Sequence, residues 1–304
     1  QQIKEAISLK KQLISAIDRV EVAHPGFINF FLTEASLSSR VSEVLKQKEA
    51  FGTIRNPKSG VRNPNIMVEF AHPNTHKAFH IGHVRNITTG ESVVRLLEAA
   101  GHIVIRANYQ GDVGMHIAKC LHALLRSPQF PLSPQLPVSS RIEFLGKAYA
   151  AGSAAFDEDE NAKKEIGEIN KKIYAKDPSV YQIYEETRQW SLDYFEAIYK
   201  RLGTHYDRYY FESEVYESGK ALVLEGLAKG IFEQSEGAVI FPGEKFGLHN
   251  RVFLSGEGNT TYEGKDMGLG QLQFAEHHPD RIIHVVGPEQ KGYFQVVFEA
   301  LARL

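Results

Sequence analysis

Apolar positions change their spacing along the chain, and each change marks an element. Ile3, Ile7, Leu9, Leu13, Ile14 and Ile17 recur at roughly helical intervals among Lys and Gln, which predicts an amphipathic helix over 3–18. Pro25-Gly26 breaks the chain, Phe27-Ile28-Asn29-Phe30-Phe31-Leu32 reads as a short strand or buried segment, and 36–48 reads as a second helix. A polar stretch with Gly52, Pro57, Gly60 and Pro64 then marks a domain boundary. Beyond it the spacing alternates: strand 66–70, helix 82–100, strand 103–107, helix 113–126, the rhythm of a parallel α/β sheet. Four prolines between 127 and 137 interrupt that rhythm, and the chain stays helical in character to 202, so an inserted helical segment is expected over about 127–205. Strands return at 207–211, 231–241, 251–254 and 281–286, followed by a helix over 290–304. The expected organisation is a small N-terminal α/β remnant over 1–60 and an α/β domain over 61–304, with both ends of the sequence reading as cut.

Composition narrows the class without choosing a function. With 42% hydrophobic and 24% charged residues the chain reads as soluble and globular, with no apolar run long enough to cross a bilayer and no signal peptide. One cysteine, Cys120, excludes an internal disulfide and a thiolate-rich zinc site, so a reducing compartment, the cytoplasm, is expected. A formal net charge of -2 gives no global attraction to phosphate backbones, and any nucleic acid would need a local basic surface.

The strongest chemical signal is Pro73-Asn74-Thr75-His76-Lys77-Ala78-Phe79-His80-Ile81-Gly82-His83, set between a strand and a helix. In open parallel sheets, ligands bind beyond the carboxyl ends of strands, where helix N-termini present free amides and a positive dipole end to anions. A triphosphate suits such a place. Gly82 lets a ligand approach the backbone, His80 and His83 lie about one turn apart and can donate to phosphate oxygens, and Lys77 adds charge. These parts suffice in kind for adenylate formation, because a carboxylate attacks the α-phosphorus without a base, and positioning and charge stabilisation do the catalysis. Mg²⁺ would screen the phosphates, with no dedicated protein metal site.

At these residues the sequence resembles the class I aminoacyl-tRNA synthetases, whose first signature is His-Ile-Gly-His, and the wider Val68-Glu69-Phe70-Ala71-His72-Pro73-Asn74 context is similar to the arginyl subgroup. Gly111-Asp112-Val113-Gly114, Phe211-Glu212-Ser213-Glu214, Thr261-Tyr262 with Asp266, and Gln290 with Phe294-Gln295 resemble further family segments. His24-Pro25-Gly26-Phe27-Ile28-Asn29 looks like the end of that family's N-terminal extra domain. The resemblance implies a Rossmann-like sheet and an arginine–tRNA ligase that uses ATP with Mg²⁺, L-arginine and tRNA, the first step usually requiring tRNA. Carried over by position, it implies catalysis and ATP binding by Lys77, His80, Gly82 and His83, and an arginine site of Glu69, Asn74, His80, Tyr262, Asp266 and Gln290. A guanidinium suits in-plane carboxylates and an aromatic wall, and Asn74 and Gln290 suit the amino and carboxylate groups. Which carboxylate faces the guanidinium is left open.

Val113, His72 and Glu263-Gly264-Lys265 depart from the family's usual residues, and the second signature, Lys-Met-Ser-Lys-Ser, does not occur; Lys77 is placed to substitute for it. The expectation is therefore a fragment of such an enzyme, with another His-Ile-Gly-His enzyme or nucleotidyltransferase, or a silent nucleotide- and amino-acid-binding module, as alternatives. Asp157-Glu158-Asp159-Glu160 reads as a solvated face, His277-His278 as a helix end, Cys120 as a small core residue, and Trp190 with Tyr181, Tyr184, Tyr194 and Phe195 as packing within the insertion.

Overall fold

In the computed structural model, which describes residues 16–53, 63–133 and 135–304, the chain divides into two compact units, Gln1–Asn56 and Pro57–Leu304. In the first, strand β1 (Ile17–Ala23) pairs antiparallel with β2 (Phe27–Leu32), and helix α1 (Glu34–Gln47) follows behind its N-cap Thr33, whose side chain accepts from the Ser36 amide. The helix expected over 3–18 falls largely outside the described residues, and its last two positions, Ile17 and Asp18, open β1 instead. Isoleucine is a better strand than helix residue, and pairing with Leu32 decides its conformation.

The second unit is built on a four-stranded parallel sheet of order β5-β4-β3-β9, from β3 (Asn65–Glu69), β4 (Ile103–Gln110), β5 (Arg208–Phe211) and β9 (Arg281–His284). β3 is central and buried on both faces, which is why it reads as an unbroken apolar run. Ile66, Val68 and Phe70 pack against Ile87 and Val94 of α2 (Ile81–Ala99) and Phe195 and Tyr199 of α6 (Pro178–Leu202). Met67 and Ala107 face the other way, onto Val215 of α7 (Glu212–Ala228) and Leu269 of α8 (Tyr262–His277). Helices on both faces give the Rossmann-like α/β fold that the alternating pattern predicts.

After α3 (Met115–Leu125), the segment expected as an insertion holds three helices, α4 (Val138–Glu158), α5 (Glu160–Tyr174) and α6. The acidic run is the joint between two of them: Asp159 ends α4 and caps α5, accepting from the Asn161 amide, because a short carboxylate serves better as an N-cap than inside a helix. Cys120 and Trp190 are buried together with Leu124, Leu145 and Ala148, as packing residues. The strand expected over 231–241 is a hairpin, β6 (Glu233–Ser235) and β7 (Ala238–Phe241), turning at Glu236 and Gly237, both with positive φ, and β8 (Arg251–Leu254) completes that small antiparallel sheet. Its core residues Phe241 and Phe253 pack with Val296 and Val297 of α9 (Lys291–Arg303). α7 and α8 cross at glycines: a Cβ on Gly219 would lie 2.1 Å from the Gly264 carbonyl oxygen, and that approach brings Lys265 of α8 to Glu212 of α7.

Candidate functional site

The carboxyl end of β3 runs into a loop with Ala71, His72 and His76 at positive φ. Non-glycine residues there carry a cost of roughly 1–3 kcal/mol each, which surrounding contacts must offset. Asn86 of α2 accepts from the Ala71 amide at 2.7 Å and donates to the Val285 carbonyl at 2.6 Å. Helix α6 supplies the rest: Ser191 Oγ accepts from the His76 amide at 2.9 Å, and the buried His76 ring lies between the hydroxyls of Thr75 and Thr187. Burial first, and then the charges of His116 and Arg188, lower the His76 pKa to about 3. The insertion is held to the domain by Asp112, which accepts from Arg188 Nε at 2.8 Å, Tyr184 Oη, and the amide and hydroxyl of Ser213.

The loop delivers His80 as the N-cap of α2. Its Nδ1 accepts from the Gly82 amide at 3.1 Å, and its own amide donates to His83 Nδ1 at 3.1 Å, so the two histidines cap the helix reciprocally with ring centroids 3.8 Å apart. With both Nδ1 atoms accepting, each neutral ring carries its proton on Nε2 and has that donor free. Burial, helped by the charges of His80 and His72, lowers the His83 pKa to about 4, so His83 is neutral at physiological pH. A Cβ on Gly82 would lie 2.8 Å from His80 Cε1, so this turn closes only around glycine. Lys77 lies on the same loop, its ammonium 5.2 Å from the Tyr149 ring of α4.

Near this helix start lies a cluster of buried acidic side chains. Glu69, at the end of β3, is buried; Gln273 Nε2 of α8 donates to its Oε2, His284 Nδ1 is 2.9 Å from its Oε1, and His72 Nδ1 is 3.7 Å away. Burial opposes its charge, but His284 outweighs that, with His72 and Gln273, and the pKa falls to about 2. Asp266 behaves oppositely. Burial and the charges of Glu69 and Glu212 raise its pKa to about 7, against the pull of the Tyr293 hydroxyl, which donates to Oδ2 at 2.7 Å, and of His284. Glu212 and Lys265 form a buried ion pair at 2.5 Å. Burial raises the Glu212 pKa against the pull of Lys265; burial works against the Lys265 charge, and Glu212 outweighs it. Asn74 joins this group: a Cβ on Gly111 would lie 2.1 Å from Asn74 Oδ1 and 3.3 Å from Glu212 Oε1, so both side chains converge over that glycine.

Of the residues singled out in the sequence, His80, Gly82 and His83 meet at the α2 start, while Glu69 and Asp266 belong to the acidic cluster and Asn74 borders it. Tyr262 opens α8, exposed, with the Lys265 ammonium 5.2 Å from its ring. Gln290, exposed at the start of α9, is not bonded to the others. His284, Gln273, Tyr293, Glu212, Lys265, Thr187 and Ser191 went unforeseen as partners. Lys265 left a trace as an unusual filling before Asp266, and Glu212 as part of Phe211-Glu212-Ser213-Glu214.

A family model described as the catalytic domain of class I (R) tRNA synthetases matches residues 40–304. Among curated relatives, the chain is 30% identical to an arginine–tRNA ligase of Bacteroides thetaiotaomicron, covering 100% of this chain and 52% of that protein. It is 31% identical to one of Treponema denticola, covering 91% and 47%. The chain thus spans about half the length of the curated relatives it matches. Among solved structures, it superposes on arginyl-tRNA synthetase of Plasmodium falciparum with a TM-score of 0.67 at 20% identity, over 100% of this chain and 52% of that one. On the Thermus thermophilus enzyme the TM-score is 0.55 at 22% identity, over 88% and 46%. These likenesses carry the fold.

Proposed function

This chain belongs to the catalytic-domain family of the class I (R) tRNA synthetases, and from that premise we propose that it is the ATP- and arginine-binding part of an arginine–tRNA ligase. The observation that carries the reading is the pairing of a phosphate-ready helix start, its two Nε2 donors without partners among the described residues, with a nearby buried cluster that holds Glu69 and Asp266. A cationic side chain fits the cluster, and a triphosphate fits the helix N-terminus.

In this reading ATP lies along the α2 start, with Gly82 giving close approach and Lys77, His80 and His83 meeting the phosphates. Mg²⁺ bound with the nucleotide would screen the phosphate charge. Glu69 and Asp266 hold the guanidinium, Tyr262 walls it, and Asn74, His80 and Gln290 orient the amino and carboxylate groups. An arginine carboxylate oxygen attacks the α-phosphorus and pyrophosphate leaves. A terminal ribose hydroxyl of tRNA then takes the arginyl group and AMP leaves. We assign residues 1–60 to the remnant of an N-terminal extra domain and 127–205 to the helical insertion, and place the enzyme in the cytoplasm; no described helix is long and apolar enough to cross a membrane.

Asp266 gives the test. A carboxyl group with a pKa of about 7 attracts a guanidinium only once ionised, so kcat/KM for arginine is expected to rise with pH through an apparent pKa near 7. Below that value it should fall by up to about tenfold per pH unit. Asp266→Asn should lower kcat/KM for arginine and abolish this limb, while KM for ATP keeps its wild-type value. A wild-type profile flat between pH 6 and 8, or an unaltered limb in the variant, contradicts the role given to Asp266.

A further inference from the structure

We propose that the Tyr109 hydroxyl is a further arginine-recognition group of this site, its oxygen accepting from the guanidinium. The inference rests on the reading above and adds a specificity-determining residue to it.

Tyr109 lies on β4 two residues beyond Ala107, which pairs with Glu69, so it projects past the carboxyl end of β3. It packs with Met67, Ala107 and Leu269 on the face covered by α8, where Asp266 sits one turn before Leu269. Its hydroxyl is buried and has no hydrogen-bond partner among the described residues. Apart from burial, the groups acting on it are Glu212, Asp266, Tyr293 and Glu69. A phenol therefore stands unsatisfied on the sheet face that Asp266's helix covers, within electrostatic reach of Glu212, Asp266 and Glu69.

A buried hydroxyl without a partner loses its hydration uncompensated, a condition tolerated where a ligand completes the bonding. The missing ligand is of definite chemistry. Carboxylates accept only, whereas a guanidinium donates through five N–H groups in one plane and accepts nothing. The Tyr109 oxygen is a further acceptor for one of those N–H groups, beside the carboxylates. An ammonium, with three donors on one compact atom, makes a poorer match to an array spread over β3, β4 and α8.

The test is Tyr109→Phe in the intact protein that carries this chain. KM for arginine in ATP–pyrophosphate exchange is expected to rise about tenfold, the loss of one such hydrogen bond, with kcat within about twofold and KM for ATP unchanged. The ligand-free Tm should hold or rise, and the Tm increase produced by arginine should shrink. An unchanged KM for arginine with an undiminished thermal shift overturns the inference while leaving the function standing. A fall in Tm with KM for arginine and ATP disturbed alike makes Tyr109 a packing residue and overturns it too. If the wild-type protein shows no dependence on arginine, the functional reading fails first, and the inference falls with it.

Discussion

His80→Ala is expected to lower kcat for arginine-dependent pyrophosphate exchange by roughly 10²–10³-fold, the usual consequence of removing one donor aimed at transition-state charge. His80 Nδ1 is committed to the Gly82 amide, which fixes the proton on Nε2. The ring is thus a donor whose direction is set by the backbone before any nucleotide arrives. His83, bound through Nδ1 to the His80 amide, repeats the device beside it. A smaller rise in KM for arginine should accompany the loss, since the proposed function also sets His80 beside the amino acid. His80 is the N-cap of α2 as well, and deleting a cap costs about 0.5–2 kcal/mol of stability. His80→Asn separates the roles, because asparagine caps well and has no group at the Nε2 position. Wild-type kcat in His80→Asn would show that the histidine serves only the helix.

Lys265→Met is expected to destabilise the second unit by about 3–5 kcal/mol in urea unfolding, the cost of leaving one member of a buried pair unpaired. The two side chains are 7% and 5% exposed, so water cannot stand in for the ammonium. Glu212 would then protonate. Burial already raises its pKa, and without Lys265 the rise should grow. A carboxyl group whose folded pKa exceeds its unfolded one contributes stability that is present at low pH and lost as pH rises through the folded value. The variant should therefore lose more stability at pH 8 than at pH 5. The double variant Lys265→Met with Glu212→Leu should recover most of the loss. A drop below about 1 kcal/mol in the single variant would mean that water or a rearranged partner reaches Glu212.

What the sequence made legible was local. The alternation of strand and helix from 66 to 126 survives because β3 is buried on both faces and α2 on one, each leaving its own periodicity. The histidine motif was legible because its geometry is a helix cap, complete within four residues. Glu69 and Asp266 could be named through family resemblance, but not their opposite electrostatics. Those come from His284 and Gln273, more than two hundred residues from Glu69, which lower its pKa, and from burial and the charges of Glu69 and Glu212, which raise that of Asp266. No periodicity reports such pairings. Tyr109 gave no signal, since an aromatic residue on a strand is ordinary packing until its hydroxyl is seen within electrostatic reach of carboxylates. The hairpin at 233–241 was hidden because its two-residue turn is so short that both arms read as one run.

The most direct measurement is ATP–pyrophosphate exchange by the intact protein that carries this chain, with each of the twenty amino acids, in the presence and absence of tRNA. Exchange supported by arginine alone, and lost in His80→Asn, is the result this account predicts. Exchange with another amino acid, or with none even when tRNA is present, would contradict it.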